Sequence, residues 1–340
     1  MRNWEDFMAI RIGINGFGRI GRLALRVLKN HADIECVGIN DLISTDLMAH
    51  LFKYDSAHGI YDGSISADET SLTIDGRKIP VTKEKDPASL PWKKLEADIV
   101  LECTGFFTNK EGAEKHIAAG AKRVVVSAPA KGDVPTFVYN VNHETYDPQK
   151  HTVISNASCT TNCLAPVVKV LHDNFGVDSG LMTTVHAYTN DQRVVDAPHK
   201  DFRRARAAAV SQIPTTTGAA KAVGLVLPDL KGKLDGLAVR IPTLDVSLVD
   251  LVATLKRAAT ADEINAALKK AAAGPMKDTL EFCEDPCVSI DFLGNHHGSI
   301  VDALSTKAIG NTVKVLSWYD NEMGFCHQMI RMTKYVGSKL

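Results

Sequence analysis

Ser158-Cys159-Thr160-Thr161-Asn162 sets a cysteine at the start of a run, residues 160–175, that reads as a helix. The first N–H groups of a helix have no partner within it, and the macrodipole adds roughly half a positive charge at that end, so a thiolate is favoured there over a thiol. Residues 152–156 read as a strand end, which brings the sulfur to the rim of a sheet where a substrate can reach it. Hydroxyl and amide side chains crowd Cys159, unlike a core position where cysteine serves as a small apolar residue. A base is available in His186, inside the alternating run 182–189 that reads as a strand. A histidine alone is most often structural; paired with a helix-start cysteine it becomes a candidate general base for nucleophilic catalysis.

A second constellation lies near the N-terminus. The alternating run 10–15 leads directly into Gly16-Phe17-Gly18-Arg19-Ile20-Gly21, and Leu23, Val27 and Leu28 then recur at helical spacing. G-x-G-x-x-G is a weak signal by itself, but here it joins a strand to a helix, the context a dinucleotide site needs. Gly16 and Gly18 let the backbone turn and approach a pyrophosphate, and Gly21 lets the helix pack close. A second strand, residues 34–40, ends in Asp41, 20 residues after Gly21 (41 − 21). A carboxylate there accepts the ribose hydroxyls of NAD and repels the 2′-phosphate of NADP, so the cofactor reads as NAD.

Further strand-like runs at 98–103, 123–127 and 136–139, with a helix over 111–119, make this half a doubly wound α/β unit. From residue 181 the strands lengthen and alternate, as in 236–242 and 246–253, the pattern of a sheet with one covered face. Thr260 and Glu263 form a capping-box start for a helix through 273 that covers it. Between these, the polar stretch 191–211 carries Arg193, Lys200, Arg203, Arg204 and Arg206, and residues 215–221 read as a hydroxyl-rich helix start suited to an anion.

The 340 residues suffice for two domains, and 45% hydrophobic with 23% charged residues describes an ordinary globular chain. Thirty-nine basic against 40 acidic residues leave a formal net charge of −1, which argues against nucleic acid or a membrane as a main partner and makes any anion binding local. Seven scattered cysteines, an N-terminal stretch 1–7 unlike a secretory signal, and no long apolar run predict a cytoplasmic protein. Cys283 and Cys287 precede His296 and His297, but the spacing does not make a zinc motif, and no metal is expected.

The chain resembles the phosphorylating glyceraldehyde-3-phosphate dehydrogenases over nearly its full length. The resemblance is carried by residues 14–22, Lys53-Tyr54-Asp55-Ser56, residues 155–162, His186-Ala187-Tyr188-Thr189, residues 217–223 and Trp318-Tyr319-Asp320-Asn321-Glu322. It implies a Rossmann NAD-binding domain over 1–158 and 320–340, with the C-terminal helix packing back, and an α+β catalytic domain over 159–319 with a largely antiparallel sheet. It also implies a homotetramer that oxidises glyceraldehyde 3-phosphate to 1,3-bisphosphoglycerate, with Cys159 as nucleophile and His186 as base. By the same resemblance Thr189 and Arg240 hold the substrate phosphate, and Ser158, Thr160, Arg204, Thr217 and Gly218 the attacking inorganic phosphate. Arg19, Ile20, Asp41, Lys85, Ser127 and Asn321 contact NAD. Lys85 stands where the family often has arginine, and Ala197 precedes Pro198 where many NAD-specific members have leucine, which thins one wall against a 2′-phosphate. Two rival readings are erythrose-4-phosphate dehydrogenase, at odds with the two phosphate sites, and a non-redox nucleotide or RNA-binding role, at odds with the Cys159/His186 pair.

Overall fold

The computed structural model describes residues 9–340, so the reading of 1–7 lies outside the described residues. These separate into two compact units. One takes the residues up to Phe137, Thr145–Ala157 and Met329–Leu340; the other takes Val138–Glu144 and Ser158–Gln328. The boundaries expected at 158/159 and 320 therefore shift. Ser158 belongs with the helix it caps, and Asp320 accepts from the N–H groups of Gly294, Glu322 and Met323, which holds the start of the last helix in the second unit.

In the first unit β1 (Ile10–Asn15) leads into α1 (Arg19–Leu28) and β2 (Ile34–Asn40) into α2 (Thr45–Lys53). A short ribbon, β3 (Tyr54–Asp55) and β4 (Gly59–Ile60), precedes the antiparallel β5 (Ile65–Asp68), β6 (Ser71–Ile74) and β7 (Arg77–Thr82). Then come β8 (Ile99–Glu102), α3 (Lys110–Ala118), β9 (Arg123–Val126) and β10 (Val153–Ser155). The sheet runs β10-β9-β8-β1-β2-β7-β6-β5, parallel from β10 through β7. All four residues of β8 are buried, as a parallel strand covered on both faces requires. The chain winds outward from β1 in one direction through β2 and in the other through β8, so a crevice opens at the C-terminal ends of β1 and β8. Residues 136–139, expected as a strand, lie outside the ladder: Thr136 bridges Ser155, and the Val138 N–H then turns to the Asn142 side chain.

The second unit opens with α4 (Cys159–Phe175), followed by β11 (Val177–Ala187), β12 (Ile213–Thr216), α5 (Ala219–Val226), β13 (Leu234–Ile241) and β14 (Ser247–Leu255). It continues through α6 (Ala261–Ala273), β15 (Leu280–Cys283), β16 (Ser299–Ile309) and β17 (Thr312–Tyr319) into α7 (Met323–Gly337), whose residues from Met329 belong to the first unit. Its sheet, β12-β13-β11-β14-β17-β16-β15, is antiparallel except for the β11·β13 and β15·β16 pairs. Helices α4 and α6 cover one face, and the Thr260/Glu263 capping box opens α6 as its sequence predicts. Residues 215–221 differ from expectation: Thr215 and Thr216 end β12, and the helix begins beyond Gly218. On β11 Met182, Thr184 and His186 are buried, whereas Leu181, on the opposite face, is 69% exposed.

Candidate active site

The polypeptide reaches α4 through Ala157, a non-glycine residue at φ 59°, so a tight turn joins β10 to the helix. Ser158 is the N-cap, its Oγ accepting from Thr161 N at 3.1 Å. Cys159 is the first helical residue, and its Sγ lies 3.5 Å from His186 Nε2. His186 is the penultimate residue of β11, and the parallel pairing with β13 sets it opposite Arg240.

Which nitrogen of His186 carries hydrogen follows from its neighbours. His186 Nδ1 is 2.7 Å from the carbonyl oxygen of Ala187, a group that only accepts, so Nδ1 is the donor and Nε2 presents its lone pair to the sulfur. Arg240 NH1 donates to the same carbonyl at 3.0 Å. Burial, and next the Arg240 cation, push the His186 pKa down to about 3, so the imidazole is neutral near pH 7. The expectation of an easily ionised thiol needs correcting. Burial of the sulfur raises the Cys159 pKa, and Arg240 and the donors of Thr160 offset only part of that rise. Burial and the Arg240 cation thus act on the sulfur in opposite directions, while the His186 ring facing it is neutral.

A hydroxyl ladder braces this pair. Tyr319 OH lies 3.0 Å from Thr160 Oγ1 and 2.8 Å from Thr184 Oγ1, with its ring edge-on to His186. Thr160, expected to face an anion, is buried with its hydroxyl committed to this ladder. Ser247 Oγ accepts from Ala187 N at 3.1 Å and donates to Asn321 Oδ1 at 2.5 Å, fixing the Asn321 amide. Tyr319 stands in the Trp318–Glu322 motif, which by itself assigns it no role, and Ser247 is one position of an alternating strand.

The residues expected to hold anions fall into groups. Arg240 NH1 reaches Thr189 Oγ1 at 3.4 Å, and the Arg240 Nε is a buried donor without a partner among the described residues. Arg204 is already held, by Asp191 at 2.6 Å, Thr215 Oγ1 at 2.8 Å and the Thr216 carbonyl at 2.9 Å. Thr217 Oγ1 accepts from Ala219 N at 3.2 Å, and Gly218 is the N-cap of α5 with no side chain to occupy the helix end.

The first unit fits a dinucleotide. Gly16 takes φ 93°, and a Cβ there would meet Thr104 N at 2.7 Å; one on Gly21 would meet the Gly16 carbonyl oxygen at 2.1 Å. A Cβ on Gly18 would enter open space, beside the N-terminus of α1, which carries no side-chain cap among the described residues. Arg19 and Ile20 form the first turn of α1, with Arg19 paired to Asp55 at 2.6 Å. Asp41 Oδ2 accepts from Phe17 N at 2.6 Å, which ties the acid to the glycine turn. Lys85 is exposed beyond β7, and Ser127 follows β9 with its N–H on the Glu102 carbonyl. When bound at these residues, the nicotinamide cofactor supplies a hydride acceptor.

Comparison with known proteins agrees with both halves. Residues 10–110 match the family model described as glyceraldehyde 3-phosphate dehydrogenase, NAD binding domain, and residues 158–321 the one described as its C-terminal domain. The chain is 56% identical over 333 residues to the glyceraldehyde-3-phosphate dehydrogenase of Geobacillus stearothermophilus, covering 98% of this chain and 99% of that protein. It is 55% identical to glyceraldehyde-3-phosphate dehydrogenase 1 of Bacillus subtilis (strain 168), with coverage of 98% and 99%, and 55% identical to the Streptomyces coelicolor enzyme, with coverage of 98% and 100%. A dinucleotide turn in one unit, a cysteine–histidine pair in the other and this likeness along the whole described length place the chain in the glyceraldehyde-3-phosphate dehydrogenase family.

Proposed function

We propose that the chain oxidises glyceraldehyde 3-phosphate with NAD and captures the product with inorganic phosphate as 1,3-bisphosphoglycerate. The observation that carries this reading is Cys159 Sγ at 3.5 Å from Nε2 of His186, at the N-terminus of α4. Cys159 attacks C1 of the aldehyde, and its proton passes by way of His186 Nε2 to the carbonyl oxygen, giving a hemithioacetal. His186 takes the hydroxyl proton back as C1 loses its hydride, leaving a thioester on Cys159. Inorganic phosphate attacks the thioester carbonyl, the C–S bond breaks, and the departing sulfur recovers its proton from His186.

Thr189 and Arg240 hold the substrate phosphate, with the partnerless Arg240 Nε as a donor in reserve. Ser158, Arg204, Thr217 and Gly218 hold the attacking phosphate, joined by the backbone N–H of Thr160 in the first turn of α4. Gly16, Gly18, Arg19, Ile20, Asp41, Lys85, Ser127 and Asn321 hold NAD, with Asn321 orienting the carboxamide. The protein is a homotetramer in the cytoplasm. For the assembly, the support is the open face of the catalytic sheet, where Leu181, Leu237 and Val252 are 69%, 44% and 38% exposed on adjacent strands. For the location, the support is the state of the cysteines, all seven of them free thiols. Among the described residues no helix is long and apolar enough to cross a membrane.

The test is absorbance of the reduced nicotinamide on mixing protein, glyceraldehyde 3-phosphate and NAD or NADP, with and without phosphate. Sustained turnover that needs phosphate is the expected result. A single-turnover burst unaffected by phosphate would remove the second anion site from the proposal.

A further inference from the structure

Beneath the crevice of the first unit lies a carboxylate that the chemistry above does not use. Glu102, at the end of β8, is 1% exposed. It receives Asn15 Nδ2 at 2.6 Å, His116 Nε2 at 3.0 Å, Thr104 N at 2.8 Å and the Thr104 hydroxyl. Trp92 Nε1 donates to His116 Nδ1 at 3.0 Å, and an indole only donates, so His116 Nδ1 accepts and Nε2 carries the hydrogen. Donors thus surround both oxygens of Glu102, so the side chain acts there as an acceptor.

That acceptor dictates the direction of two amides. Asn15 must turn Nδ2 to Glu102, so its Oδ1 faces Asn40 Nδ2, 2.7 Å away. Asn40, oriented in turn, donates to the Glu84 carbonyl at 2.9 Å and accepts at Oδ1 from Glu84 N and Thr82 Oγ1, each at 2.9 Å. Asn15 precedes Gly16, Asn40 precedes Asp41, and Glu84 precedes Lys85. Thr104 is the backbone against which Gly16 packs, and Gly16 N donates to the Asn40 carbonyl at 2.8 Å. One buried side chain therefore reaches the glycine turn, Asp41 and Lys85.

We infer that Glu102 is a positioning residue for NAD: its directed hydrogen bonds through Asn15, Asn40 and Thr104 set the glycine turn, Asp41 and Lys85 in binding register. The inference rests on the cofactor assignment above. A glutamine at 102 has one oxygen for two sets of donors, so one limb must meet an N–H head-on.

The experiment is calorimetric titration of NAD into wild type, Glu102→Gln, Asn40→Asp and Val124→Ala, with the rate of Cys159 alkylation measured alongside. Val124, fully buried in the same sheet but outside the relay, controls for general loss of stability. Glu102→Gln is expected to weaken NAD binding about tenfold or more, with alkylation unchanged and Val124→Ala binding as wild type. Asn40→Asp, which reverses the far end of the relay, carries the same expectation if Glu102→Gln does not fold. NAD affinity within twofold of wild type in the folded variant, or an equal loss in Val124→Ala, overturns the inference. Failure of the wild type to bind NAD would instead overturn the cofactor assignment.

Discussion

Arg240 and His186 share one acceptor: the carbonyl oxygen of Ala187 lies 2.7 Å from His186 Nδ1 and 3.0 Å from Arg240 NH1. The shared oxygen holds the imidazole with its lone pair toward Cys159, and the guanidinium beside it, 3.0 Å from Nδ1, opposes protonation of the ring. One arginine thus favours the thiolate of Cys159 while keeping its partner base neutral.

Replacing Arg240 by leucine removes a cation that lowers both pKa values, so both rise. The pH midpoint of iodoacetamide inactivation of the free enzyme is expected to move to higher pH than in wild type. A midpoint that stays put or falls would mean that Arg240 does not act on the sulfur.

Tyr319→Phe deletes the hydroxyl between Thr160 and Thr184, leaving two fully enclosed hydroxyls short of a partner. Leaving buried polar groups unsatisfied costs about 1–3 kcal/mol, which urea denaturation would detect. A variant as stable as the wild type would show that the hydroxyl ladder contributes nothing to the placement of α4 on β11.

Asp41→Ala removes the acid that accepts from Phe17 N and stands 20 residues past Gly21 (41 − 21). The ratio of kcat/KM for NADP over NAD is expected to rise, since the charge repelling a 2′-phosphate is gone. Ala197→Leu, which restores bulk at the other wall, is expected to lower the same ratio. If neither variant moves it, cofactor choice lies elsewhere.

Leu181→Arg sets a charge on the open sheet face next to Val252, its cross-strand partner on β14. Sedimentation velocity is expected to give smaller assemblies than wild type, because a desolvated, unpaired charge is costly at an interface. An unchanged sedimentation coefficient would place the subunit contacts on another surface.

Much of this arrangement was legible in the residues. Cys159 at a helix start and the glycine turn between a strand and a helix are local patterns, and local periodicity reports local structure. Tyr319 and Thr160 are 159 positions apart and Asn321 and Ser247 are 74 apart, so no local pattern announces those bonds. Residues 136–139 alternate like a strand, yet a side chain, Asn142, claims the N–H that a ladder would need. The direction of the Thr160 hydroxyl and the balance of burial against charge at Cys159 depend on what the fold packs around them. Sequence gives the helix end, and only tertiary packing gives the desolvation.

The return of Met329–Leu340 to the first unit has a consequence for synthesis. Lys334 pairs with Asp33 at 2.7 Å, and Gly337 lies so close to Ile10 that a Cβ would come within 2.4 Å of its side chain. The first described strand, β1, is therefore flanked by the last described helix, α7. While the intervening Ser158–Gln328 stretch emerges during synthesis, the first unit lacks this wall, and it closes only once Met329–Leu340 has followed. Deletion of Met329–Leu340 thus strikes the unit that opens the chain, uncovering β1 far from the cut in sequence.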